Sequence, residues 1–176
     1  MNLLHDVSLG KNVPEEINVI IEIQKGSHNK YEINKESGLL ELDRANYSDA
    51  AYPIDYGFAP QTHWEDGDAL DVLVLATYPL PPLTLVAVRP VAVMEMMDEG
   101  ESDYKIVAVP VKDKRWDDVN DLEDINKHTL KEIKHFFETY KELKGGKVEV
   151  SGFKGKKEAY EAVTKSIELY KKEFNK

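Results

Sequence analysis

Residues 66–75 read "DGDALDVLVL". Asp66, Asp68 and Asp71 stand directly ahead of Val72, Leu73, Val74 and Leu75, a short apolar run of the kind that forms a buried strand. Carboxylates at the mouth of such a strand need compensation, because an unpaired charge is costly to carry into a poorly solvated interior. In an extended chain Asp66 and Asp68 project to one side, Gly67 lets a ligand approach the backbone, and Asp71 sits where loop becomes strand. Hard oxygen ligands converging there suit Mg²⁺ or another hard divalent cation. An Asp-Gly pair is also an ordinary turn former, so the stretch taken alone reads first as a solvated turn. It is not an EF-hand loop, which needs a different spacing: Gly stands second here, Leu fifth and Thr77 twelfth.

Working outward, residues 14 to about 112 favour strands and turns, and residues from about 118 favour helices. Ile17, Val19, Ile21 and Ile23 alternate as a half-buried strand would, placing Glu22 on the opposite face. Residues 30–33 and 39–43 flank "NKESG", which predicts a hairpin with Gly38 in the left-handed region. Further strands are predicted over 72–76, 84–93 and 104–109. The stretch "DLEDINKHTLKEIKHFFETYKEL" predicts a long helix capped by Asp121 and stopped at Gly145-Gly146, and a second helix is predicted over 156–173. The fold class is therefore α+β, strands first, in a single domain spanning 1–176.

The 176 residues are 41% hydrophobic and 32% charged, which fits a folded globular protein. The chain has no cysteine, which excludes disulfides, thiolate nucleophiles and Cys-based zinc sites. Its start, "MNLLHDVSLGK", lacks the pattern of a secretory signal. Its longest apolar stretch is broken by Asp71 and by Pro79, Pro81 and Pro82, so no membrane association and a cytoplasmic location are expected. A net charge of −10 argues against a general nucleic-acid binder.

Other residues alternate in sign near strand ends. Lys30 and Glu32 in "KYEI" share a strand face, Arg44 follows the next strand, and Asp98 and Asp103 flank the turn in "MDEGESDYK". Tyr52 and Tyr56 surround Pro53 in "AAYPIDYGFAP", and Tyr140-Lys141 falls late in the long helix. Each of these also has an ordinary structural reading. A metal-phosphate complex, however, needs cations and carboxylates interleaved in this way. His128 and His135 lie seven apart on one helix side, more in keeping with a helix interface than with a metal site.

Taken in order, "KYEI", Asp43-Arg44, "AYPIDYGFAP", "DGDALDVLVL", "DEGESDYK" and "HFFETYK" resemble the soluble class I inorganic pyrophosphatases of prokaryotic type over residues 14 to about 170. The resemblance implies a five-stranded OB-like closed β-barrel with two main C-terminal helices packed outside. It implies hydrolysis of pyrophosphate to two orthophosphates by metal-activated water, with several Mg²⁺ ions per subunit. It makes Asp66, Asp71 and Asp103 ligands of the activating metals and Asp98 a ligand of a substrate-borne one. Glu32 lies near a further metal or its water shell, and Glu22 is an active-site carboxylate supporting the ligands. Asp68 accepts a proton from the attacking water or orients it. Lys30, Arg44, Tyr56, Tyr140 and Lys141 hold the phosphates, supported by Tyr52 and Lys105. A homohexamer of two trimers, with His135 at the contact between trimers, is implied as well. The alternative reading is an OB-like oligonucleotide-binding module without catalysis, with the tyrosines and lysines as its stacking and phosphate surface.

Overall fold

The structure, a computed structural model, describes residues 1–174. Its strands are β1 (Ile17–Ile23), β2 (Asn29–Ile33), β3 (Leu40–Ala45), β4 (Asp55–Phe58), β5 (Asp71–Val74), β6 (Leu85–Asp98), β7 (Glu101–Ser102), β8 (Lys105–Pro110) and β9 (Val148–Lys154). Two α-helices lie in the C-terminal half, α1 (Lys127–Thr139) and α2 (Lys156–Phe174). The molecule is thus mostly sheet followed by helices. Among the described residues no helix is long and apolar enough to cross a membrane.

The main ladder runs β1–β4–β5–β8–β6 and returns from β6 to β1, so each of these five strands has a partner on both edges. β5 and β8 are parallel; the other pairs in this ring are antiparallel. β7 and β9 extend β6, while β2 and β3 form a separate hairpin. That hairpin is closed by Gly38 at φ +71°, the left-handed position predicted for it.

Alternate side chains of the ring strands feed two cores. Val72 and Val74 of β5, with Ile106 and Ala108 of β8, pack beneath Ala159 and Val163 of α2. Leu73, Val107 and Met94 pack on the other side with Phe136 and Phe137 of α1. This explains why residues 72–75 show no polar alternation: both faces of the strand are covered. Gly57 marks a close strand crossing, since a Cβ there would fall 2.1 Å from the Ile20 carbonyl oxygen.

Three expectations about the elements change. β1 is not half-buried: Ile17, Val19 and Ile21 join one core and Ile23 the other. The register of β1 on β4 shifts between Ile21 and Ile23, and one extra residue is enough to turn the following side chain to the opposite face. The long helix is three pieces. Asp121 caps a single 3₁₀ turn at Leu122–Asp124, Asn126 caps α1, and a second 3₁₀ turn at Glu142–Lys144 ends on Gly145 at φ +81°. Tyr140 and Lys141 therefore follow α1 instead of lying within it. β4, β7 and β9 were not anticipated. Gly57 and Gly152 interrupt the apolar patterns of β4 and β9, and β7 is only two residues long.

Candidate active site

The hairpin β2–β3, the β5 and β8 entrances, the β6–β7 turn and the residues after α1 surround one open cavity of about 1160 Å³. Eleven carboxylates and five Lys or Arg side chains line it. All the residues that the resemblance assigns to the site line this cavity except Tyr52. Tyr52 is 2% exposed and packs behind the site, its ring centroid 4.7 Å from that of Phe136 and 6.0 Å, edge-on, from that of Tyr56. Burial raises its hydroxyl pKa to about 12, so it acts on the site through packing.

At the floor lies a triad of charges, Lys105 and Asp103 buried and Asp71 half-buried. Lys105, 2% exposed, donates from Nζ to Asp71 Oδ2 at 2.7 Å and to Asp103 Oδ1 at 2.8 Å. The parallel pairing of β5 with β8 sets Asp71 directly opposite Lys105, while Asp103 precedes β8 by two residues. The Tyr56 hydroxyl, from neighbouring β4, donates to Asp71 Oδ2 at 2.5 Å. Burial works against the Lys105 charge, but Asp103 and Asp71 outweigh it and hold the ammonium well above the ordinary lysine range. Asp71 is raised by burial in spite of Lys105, with Asp103 adding to the rise. Asp66, in the loop above, is raised to about 7 by burial, opposed by the Asp68 amide and reinforced by the charges of Asp103, Asp71 and Asp68.

The walls repeat the alternation. Lys30 Nζ lies 3.2 Å from Glu32 and 2.9 Å from Asp43, whose carboxylate also accepts from Arg44 at 2.7 Å. Glu22 turns toward the hairpin and accepts from the Ile33 amide at 2.8 Å; burial raises its pKa to about 8 against that hydrogen bond. On the opposite side Lys141 pairs with Asp98 Oδ2, and the Tyr140 hydroxyl is 3.5 Å from the same oxygen. The other oxygen of Asp98 is buried, with no hydrogen-bond partner among the described residues. The guanidinium of Arg44 lies 5.9 Å from the centre of the Tyr140 ring, so the two walls face each other.

Among the described residues no three carboxylates or histidines converge as a ready metal cage. The reason is visible at the floor, where Lys105 occupies the space between Asp71 and Asp103. The donor set still fits hydrated Mg²⁺, which keeps several waters and uses only one or two carboxylates at a time. The orphaned Asp98 oxygen and the crowded carboxylates are groups that a hard cation would satisfy.

A profile described as inorganic pyrophosphatase matches residues 19–171. The chain belongs to the inorganic pyrophosphatase family. It is 46% identical to the inorganic pyrophosphatase of Haloferax volcanii over 99% of each chain, and 42% identical to that of Picrophilus torridus over 98% of this chain and 97% of the relative. Among solved pyrophosphatase structures, the one from Thermus thermophilus superposes with a TM-score of 0.94. That structure is 44% identical, covering 97% of this chain and 99% of the other. Membership in the pyrophosphatase family carries divalent-metal dependence with it, in keeping with the oxygen-rich cavity.

One cavity-lining cation escaped the reading of the sequence. Lys35, at the hairpin tip, extends to Asp68 Oδ1 at 2.6 Å. Its signal was present in "NKESG", but a lysine in a turn reads as solvated until the turn is known to overhang a site.

Proposed function

We propose that this chain hydrolyses pyrophosphate to two orthophosphates in the cavity walled by hairpin β2–β3 and the residues after α1, as a Mg²⁺-dependent enzyme with several ions per subunit. The observation that carries the reading is the charge pattern: eleven carboxylates against five cations, interleaved around one cavity. A site so acidic repels a polyanion unless dications enter with it, and it repels nucleic acid for the same reason. The oligonucleotide-binding reading has no comparable support.

Bound Mg²⁺ supplies neutralisation of the phosphate charge and lowers the pKa of the attacking water. Lys105 holds Asp71 and Asp103 at fixed spacing, so that their remaining oxygens and Asp66 can ligate. Asp98 and Glu32 would hold further ions, with Glu22 fixing the hairpin beside them. The attacking oxygen forms a bond to one phosphorus, the bond from that phosphorus to the bridging oxygen breaks, and Asp68 takes the proton released. Lys30, Arg44, Tyr140 and Lys141 steady the departing phosphate, Arg44 through its planar fork. Tyr56 keeps Asp71 oriented, and Tyr52 packs behind it.

The same proposal takes the chain as a single domain, its five-strand ring as the OB-like closed barrel, and its setting as cytoplasmic. It also takes the assembly as a homohexamer, to which the exposed histidines of α1, His128 and His135, are available. The deciding experiment is orthophosphate release from pyrophosphate by purified protein with Mg²⁺, with excess chelator, and with ATP in place of pyrophosphate. Release that needs Mg²⁺ and spares ATP supports the reading. Folded protein inactive with every divalent ion tried removes it.

A further inference from the structure

Four of the five cavity cations are engaged with carboxylates at the floor or walls: Lys105, Lys30, Arg44 and Lys141. Lys35 is the fifth, and it reaches across the cavity mouth. Its partner, Asp68, is the carboxylate to which the proposed reaction gives the proton.

The hairpin tip is braced to aim this side chain. Glu22 ties Ile33 to the main sheet at 2.8 Å. Asn34 then organises the turn: its Oδ1 accepts from the amides of Glu36 at 3.1 Å and Ser37 at 2.8 Å, and its Nδ2 donates to Glu41. An Asx turn of this kind fixes the direction in which the next residue, Lys35, leaves the backbone. On the other side, the backbone of Asp68 is held at both its amide and its carbonyl. Its amide donates to Asp66 Oδ1 at 3.1 Å and its carbonyl accepts from the Trp64 amide at 2.7 Å. Among the described residues, Lys35 is the sole side chain that hydrogen-bonds to the Asp68 carboxylate.

The Asp68 side chain is 64% exposed and that of Lys35 67%, so the pair contributes little to stability. One carboxylate oxygen is occupied by the ammonium and the other is left open to a proton.

We propose that Lys35, presented by the braced tip of β2–β3, is the positioning residue for Asp68 during pyrophosphate hydrolysis. The proposal rests on the reading of Asp68 as the proton acceptor, and its test separates the two. Steady-state kinetics at saturating Mg²⁺ are compared for Lys35→Arg, Lys35→Met and Lys35→Glu, each alone and with Asp68→Asn, beside thermal unfolding of every variant. Lys35→Met lowers kcat about tenfold with little change in KM or unfolding midpoint, the low end of what the loss of an orienting partner costs. Lys35→Arg retains most of the rate, Lys35→Glu falls below Lys35→Met, and in the Asp68→Asn background the three converge. A rise in KM with kcat unchanged overturns the proposal by making Lys35 a substrate contact, as does a kcat that is indifferent to all three replacements. An Asp68→Asn enzyme with full activity removes the role of Asp68 itself, and that of Lys35 with it. Asp68→Asn crippled while Lys35→Met is normal leaves Asp68 in place and removes Lys35 alone.

Discussion

At the scale of single residues, the floor of the site rests on one ammonium shared by two carboxylates. Lys105 stands between Asp71 and Asp103 and is itself buried, so no surrounding water can replace it. Lys105→Met strands the buried Asp103 and the half-buried Asp71 without their shared cation and lowers unfolding stability by about 3–5 kcal/mol, measured by urea denaturation in chelator. Mg²⁺ restores part of the loss, because the ion takes over the neutralisation. Asp71→Asn keeps the fold, as circular dichroism will show, because an amide can still meet Tyr56 and Lys105 in part. Its turnover of pyrophosphate falls by at least the roughly 10–100-fold that loss of a ligand's supporting partner costs. Near-normal turnover in folded protein would remove Asp71 from the ligands. The residue types of the site were legible in the sequence because hard-metal and phosphate chemistry admits few alternatives to carboxylate, lysine and arginine. Which lysine meets which carboxylate was not, since Lys35 and Asp68 are 33 positions apart.

At the scale of elements, the apolar runs of β5 and β8 and the hairpin around Gly38 follow directly from local pattern. The break in the long helix does not, since the stretch from Asp121 to Leu143 carries helical periodicity almost throughout. Competing caps decide it. Asp121 Oδ1 accepts from the amides of Leu122 and Lys156, both at 2.8 Å, and so serves the 3₁₀ turn and the start of α2 together. Asn126 then starts α1 afresh. Asp121→Ala therefore destabilises by about 1–2 kcal/mol near pH 7, as loss of a helix cap does. The Lys156 and Leu122 amides hold the Asp121 carboxyl below the usual carboxylate range. A depressed pKa contributes stability that is present above the unfolded value and lost as pH falls through the folded one. The difference between wild type and Asp121→Ala in urea titrations should accordingly shrink under acid. A gap that stays constant as the pH falls would mean that Asp121 acts as a neutral packing group.

At the scale of the whole molecule, the ring of five strands lets both faces of β5 be buried while its entrance opens on the cavity, so the carboxylates of residues 66–71 meet water and ions at the edge of a dry core. Divalent ions that bind only this folded arrangement stabilise it by mass action. Adding Mg²⁺ to chelator-treated protein should raise the thermal unfolding midpoint, with the rise growing with the free ion concentration. The same addition to Asp71→Asn should give a smaller rise; equal rises would place the stabilising ions elsewhere. Sedimentation at micromolar concentration checks the proposed hexamer against a mass six times that of the 20.1 kDa chain. From sequence alone came the α+β order, the strand at residues 72–75, the second helix and the acidic, metal-suited chemistry, because these depend on composition and on patterns within a few residues. Only the tertiary structure decided that β1 turns over at Glu22, that Tyr52 stands behind the site, that Lys105 fills the gap between Asp71 and Asp103, and that Lys35 overhangs Asp68. Each of those depends on strands pairing far apart in the chain, and no local pattern encodes which partners meet.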